Sequence, residues 1–155
     1  SVLILLRFIN DDQWKSLPLI SLLLTVKMGD IGAYTIGRLV GKHRLAPRLS
    51  PGKTIEGVLG GLLFSVGGAF LAFRLVPAWI YVEMPPFPWW QLVAYGLLVG
   101  AAGVLGDLAE SLLKRNAQQK DSSGWLPGFG GVLDLIDSLL LAGPISYIFW
   151  LLALK

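Results

Sequence analysis

The sequence contains no cysteine, a single histidine and few charges. Without cysteine there is no disulfide scaffold and no thiolate metal centre. Charged residues make up 15% of the 155 residues, against about 25% in soluble domains, while 54% are hydrophobic and the mean hydropathy is +0.66. That is too little polar surface to cover a globule in water, and the composition excludes a disordered segment and a coiled coil. The chain has 19 glycines and 9 prolines, high for a soluble helical domain and ordinary for membrane helices.

The charges are clustered, and the gaps between them define the spans. Gly57–Phe73, Met84–Gly106 and Ser138–Leu154 carry no charged side chain. With a few flanking residues, each is long enough as a helix to cross a hydrocarbon core about 30 Å thick. A fourth stretch, Leu17 to about Gly41, is apolar at both ends and interrupted by Lys27 and Asp30. The runs are continuous rather than alternating, which argues against β-barrel strands. Val2–Ile9 is too short to span and reads as the tail of a helix that begins outside this sequence. The expected fold is an all-α, polytopic helical membrane protein with about four transmembrane helices plus a partial N-terminal helix. Residues 1–155 would form one transmembrane catalytic domain, the C-terminal portion of a longer chain.

Eight of the 13 Lys and Arg fall in two loops: Arg38, Lys42, Arg44, Arg48 and Lys53 in one, Lys114, Arg115 and Lys120 in the other. Two crossings separate these loops, so both lie on one side, which the positive-inside rule makes cytoplasmic. The connector Val76–Trp90 holds four prolines and several aromatics, and it reads as a non-helical turn at the opposite interface. Gly57/Gly61 and Gly96/Gly100 have the spacing of close helix contacts and are assigned no chemistry.

Chemistry concentrates between Gly106 and Ser138. If the preceding span continues as helix, Asp107, Glu110, Ser111 and Lys114 share one face. Asp134 and Asp137 share a face at the start of the last span. Carboxylates near hydrocarbon cost about 2.5–3.5 kcal/mol at a helix centre and mark function by default. An oxygen-only donor set suits Mg²⁺ or a similar hard ion and argues against zinc. The Gly128–Gly131 turn, with Gly130 and Gly131 just before a helix start, offers N–H groups to an anion. Lys114, Arg115 and Lys120 add positive charge for phosphates, although Lys114 and Arg115 equally suit interfacial anchoring. Carboxylates for a metal and cations for phosphate together suit phosphoryl or nucleotidyl transfer.

The first loop is consistent with this. Gly52-Lys53-Thr54 is not a Walker loop, because position 47 is Pro where that motif requires Gly. Lys53 and Thr54 at a helix start remain an anion site, or simply a cap with positive-inside bias. Asp30 either lines the cytoplasmic half of a cavity or pairs with Lys27.

Ser111-Leu-Leu-Lys-Arg, then Lys120-Asp121, then Pro127-Gly-Phe-Gly-Gly-Val-Leu-Asp-Leu-Ile-Asp137 resembles the signature of the phosphatidate cytidylyltransferases, S-x-x-K-R-x4-K-D-x5-PGHGG-x-x-D-R-x-D. Asp30–Tyr34 with Gly37-Arg38, and Ser50–Gly57, resemble the family's upstream elements, so the family-like core runs from about residue 30 to 138. Phe129 and Leu135 stand where the pattern has His and Arg, and Gly52 where an upstream Lys is usual. The resemblance implies the reaction of CTP with phosphatidate to CDP-diacylglycerol and pyrophosphate, for phospholipid synthesis. It implies that Asp107 and Asp134 hold Mg²⁺ with Asp137 close by, and it leaves room for a second cation. Ser111, Lys114, Lys120 and Asp121 would belong to the nucleotide-phosphate site, with Lys53 and Thr54 gripping phosphate. Membrane lipid surrounds such an enzyme, a homodimer is compatible with the family, and no nucleic-acid partner is expected. Two other readings stay open at this point: a CTP-dependent lipid kinase of the dolichol or phytol type, and an inactive membrane scaffold or cation pathway.

Overall fold

A computed structural model describes residues 2–7, 16–47, 49–79, 87–116 and 132–153, with the backbone alone described at 2, 7, 114–116 and 132–137. Helix α1 is Val2–Arg7 and α2 is Leu17–Val40; strands β1, Arg44–Ala46, and β2, Ser50–Thr54, follow. Then come α3, Ile55–Phe70, a π-helical turn at Leu71–Leu75, α4, Val76–Trp79, α5, Trp89–Asn116, and α6, Val132–Ala153.

Three helices meet the length and hydropathy of a membrane crossing: Leu17–Val40, Ile55–Trp79 and Trp89–Leu113, with mean hydropathies of 1.4, 1.8 and 1.8. Helix α6 has 22 residues, about 33 Å at the α-helical rise, and its apolar part is Ser138–Ala153. Leu59, Leu63, Leu98, Leu140 and Leu152 stand exposed around the bundle, as lipid-facing side chains must be. The chain is an all-α polytopic membrane protein.

Two local features depart from the expectation. The connector Val76–Trp90 is expected to be non-helical because of its prolines; instead its first residues, Val76–Trp79, continue the helix through Pro77, and residues 80–86 lie outside the described residues. The π turn supplies the reason. The Val76 N–H bonds back to the Leu71 carbonyl, five residues away, and this widened turn accommodates a proline that would otherwise clash with the preceding turn. The second departure is the basic loop, which is a small antiparallel hairpin pairing Arg44 with Thr54 and Ala46 with Ser50.

Helices α2 and α3 make the most extensive packing contact in the molecule. Glycine makes it possible: a Cβ at Gly60 would lie 2.5 Å from Ile36, and one at Gly32 would lie 2.5 Å from Phe64. At the far end, α5 and α6 close on α2 through buried aromatics. Phe73 stacks on Trp150 at 5.2 Å and meets Tyr95 edge-on at 5.2 Å.

Hydroxyls fix the register of these three helices. Ser21 donates to the Pro18 carbonyl at 2.8 Å, so its oxygen accepts from Tyr95 at 2.9 Å and from Trp150 Nε1 at 3.1 Å. Tyr95 in turn accepts from Ser146 at 2.8 Å. Every proton in the chain has one place to go, and in hydrocarbon no water would replace a lost partner. Tyr95→Phe keeps the ring packing and strands the Ser146 proton. It is expected to destabilise the bundle by about 1 kcal/mol in an unfolding titration, with little effect on any activity.

A cavity at the charged end of the bundle

The hairpin is what carries the charged end. Thr54 is the N-cap of α3, its Oγ1 accepting the Gly57 N–H at 3.1 Å, and Glu56 sits in the first turn where an acid favours the helix dipole. Glu56 also reaches back across the loop. Its Oε2 accepts the Lys42 N–H at 3.1 Å and the His43 N–H at 3.2 Å, and Oε1 contacts His43 Nδ1 at 2.6 Å. The Ile55 N–H donates to the His43 carbonyl at 2.9 Å, and Arg44 donates to the Pro51 carbonyl. These bonds close the hairpin's mouth onto the top of α3.

So held, β2 places Lys53 against α5. Lys53 Nζ lies 2.6 Å from Asp107 Oδ2, with Lys53 20% exposed and Asp107 46% exposed. The ammonium is enclosed and has no aligned hydrogen-bond acceptor among the described residues, so the contact is one of charge. A part-exposed pair of this kind contributes about 0–1 kcal/mol at most, so an entering anion can exchange it at little cost.

The pair sits on a cavity of about 380 Å³ between α2, α3, α5 and the start of α6. Its end toward the hairpin is polar, with Asp30, Tyr34, Lys53, Thr54 and Asp107. Its deep end is Val26, Ser65, Gly29, Gly61 and Gly100. Asp30 both lines the cavity and bonds Lys27 at 2.8 Å, so the two readings of its sequence position hold together. Helix α5 runs unbroken through Gly106, as the shared face of Asp107 and Glu110 requires.

Four of the candidate residues, Asp30, Lys53, Thr54 and Asp107, therefore line one space despite a separation of some 77 positions along the chain. Ser111 does not line it; its hydroxyl donates to the Asp107 carbonyl at 2.8 Å. Lys114 and Arg115 lie in α5 on described backbone, their side chains outside the described residues. Lys120, Asp121, Gly130 and Gly131 lie outside the described residues altogether. Asp134 and Asp137 belong to α6 by their backbone, and Ser138 lines the cavity. Asp134, four residues before Ser138, shares its helix face. Among the described residues no three His, Asp or Glu side chains gather into one metal-binding group.

Reading the sequence missed Glu56 and Ser65. The capping pattern of Thr54 and the acid two residues on carried a signal for the first, and a lone serine in an apolar span carried one for the second.

The profile of the cytidylyltransferase family matches residues 1–153, and the chain belongs to that family. It is 42% identical to a phosphatidate cytidylyltransferase of Chlamydia muridarum over 130 residues, 83% of this chain and 41% of the relative. A Synechocystis protein of the same name is 43% identical over 127 residues, 81% of this chain and 40% of its own. One from Bacillus subtilis is 38% identical over 145 residues, 94% and 51%. The chain spans about half the length, or less, of these curated relatives.

Glu56→Ala removes the carboxylate that accepts from Lys42 and His43 and leaves the Ile55–His43 bond as the remaining backbone link between the loop and α3. Tryptic cleavage after Lys42 and Arg44 in membrane preparations is expected to quicken about tenfold, with the α2–α3 pair still resistant.

Proposed function

We propose that the protein transfers a cytidylyl group from CTP to phosphatidate, giving CDP-diacylglycerol and pyrophosphate, at the cytoplasmic face of its membrane. The observation that carries this reading is the meeting of Lys53 and Asp107 at the charged end of a cavity whose deep end, the throat, is lined by glycines, Val26 and Ser65. A water-soluble nucleotide and a membrane lipid need such a space, polar at one end and apolar at the other. The family membership and the names of the relatives support the same chemistry.

In this reaction a phosphate oxygen of phosphatidate attacks the α-phosphorus of CTP, and the bond from that phosphorus to the oxygen bridging to the β-phosphorus breaks. Pyrophosphate leaves with that electron pair. Lys53 exchanges Asp107 for a phosphate oxygen of the substrate, and the Asp107 carboxylate would then be one of the residues able to hold a divalent ion. By the family signature, Ser111, Lys114, Lys120 and Asp121 belong to the nucleotide-phosphate site, where Lys114, Arg115 and Lys120 supply positive charge and Gly130 and Gly131 present backbone N–H groups.

The donors around the cavity are carboxylates and hydroxyls, Asp30, Asp107, Thr54 and Ser138 among them, with no thiol and no imidazole. That set fits a hard divalent ion, and Asp107, Asp134 and Asp137 would hold Mg²⁺. When bound, the ion neutralises charge developing on the phosphoryl oxygens. The throat's walls meanwhile keep bulk water from the lipid end, where hydrolysis would compete.

The test is transfer of label from CTP into phosphatidate by membranes carrying the full-length protein. Label at the α-phosphorus is expected in the lipid, and label at the γ-phosphorus is not. Asp107→Asn and Asp134→Asn are each expected to lower turnover about 10²–10³-fold with membrane insertion unchanged, and chelation of divalent cations should abolish it. Transfer of the γ-label would instead establish a lipid kinase. Undiminished turnover in the two Asp variants would remove them from the site.

A further inference from the structure

Ser65 lies eleven residues below the Thr54 cap on α3, roughly 16 Å along the helix and deep in the bundle. It is 1% exposed, it lines the cavity, and its Oγ has no hydrogen-bond partner among the described residues. A helical serine or threonine ordinarily returns its hydroxyl to the carbonyl one turn back, as Thr35 does to Ile31 and Ser111 to Asp107. Ser65 does not. Its oxygen occupies room left by glycines on two other helices: a Cβ at Gly29 would lie 2.3 Å from Oγ and one at Gly100 2.6 Å from it. Three helices are shaped around a hydroxyl that bonds to none of them. Left unpaired in an apolar bundle, that hydroxyl is costly, and alanine would occupy the site without the penalty.

We infer that Ser65 contacts the lipid substrate, donating a hydrogen bond to a glyceryl ester carbonyl and so favouring ester-linked over ether-linked lipid. The inference rests on phosphatidate being the acceptor.

The depth agrees. Gly100, beside Ser65, precedes Asp107 by seven residues on α5, roughly 10 Å. A phosphate oxygen at Lys53 takes up about 3 Å of that distance. An ester carbonyl lies roughly 6 Å beyond the phosphorus, at bond lengths of about 1.5 Å. The nucleotide fits this end poorly. Around Ser65 the throat offers Val26, Gly61 and Val104, so a cytosine ring would leave most of its polar atoms unpaired, whereas an ester needs one donor and apolar walls.

The experiment compares kcat/KM for a diacyl phosphatidate and its dialkyl ether counterpart at saturating CTP, in the full-length wild type and in Ser65→Ala. Wild type is expected to favour the diester about fivefold, the size of one lost neutral hydrogen bond. Ser65→Ala should bring the ratio close to one, through KM for the diester, with KM for CTP and thermal stability not worsened. A ratio that persists in Ser65→Ala, or a wild type blind to the ester, overturns the inference while leaving cytidylyl transfer standing; in that case the hydroxyl serves only bound water. If wild type turns over neither lipid, the cytidylyltransferase reading and this inference fall together.

Discussion

The contact between Lys53 and Asp107 organises the charged end of this molecule. One partner rides on a short strand of the hairpin, which Glu56 ties to the top of α3 and Thr54 joins to it as the helix cap. The other sits where α5 leaves its apolar span. Their meeting ties a polar hairpin to a membrane helix and places opposite charges at the rim of a cavity. Because a part-exposed pair is worth so little in stability, its value is positional: it holds an ammonium and a carboxylate ready for ligands of opposite sign.

The two ends of the bundle solve opposite problems. Away from the hairpin, Ser21, Tyr95, Ser146 and Trp150 satisfy one another, and aromatic rings fill the space between helices. That end is closed, and among the described residues these four side chains pair with one another, while the Thr25 hydroxyl one turn along α2 has no partner. Toward the hairpin, glycines hold α2, α3 and α5 close, yet the cavity retains hydroxyl and ammonium groups without aligned partners. Polar groups left waiting in a bundle are where a ligand completes the structure. The rigid end supplies the frame, and the open end uses it.

Much of this was legible in the sequence because hydrocarbon imposes simple rules. Apolar runs marked the helices, and even α2, interrupted by Lys27 and Asp30, begins and ends within a residue of its expected limits. Asp30, Lys53, Thr54 and Asp107 could be singled out because charged or capping groups beside apolar runs need a reason to be there. What escaped depends on geometry that composition does not encode. Pro77 looked like a helix breaker, and only a π turn at Leu71–Leu75 lets the helix pass it. The hairpin's strands are too short to show alternation. Ser65 looked like any serine in a membrane helix until Gly29 and Gly100 were seen to make room for its oxygen.

Residues 1–155 contain no cysteine, so once any cysteine elsewhere in the full-length protein is replaced, the central contact is directly measurable. Cysteines introduced at 53 and 107 in the full-length protein, in native membranes, can be bridged by a short bifunctional thiol reagent. The account predicts efficient intramolecular bridging that CTP suppresses by entering between the two positions. Bridging no greater than that of a pair placed at 53 and 90, at opposite ends of the bundle, would contradict it.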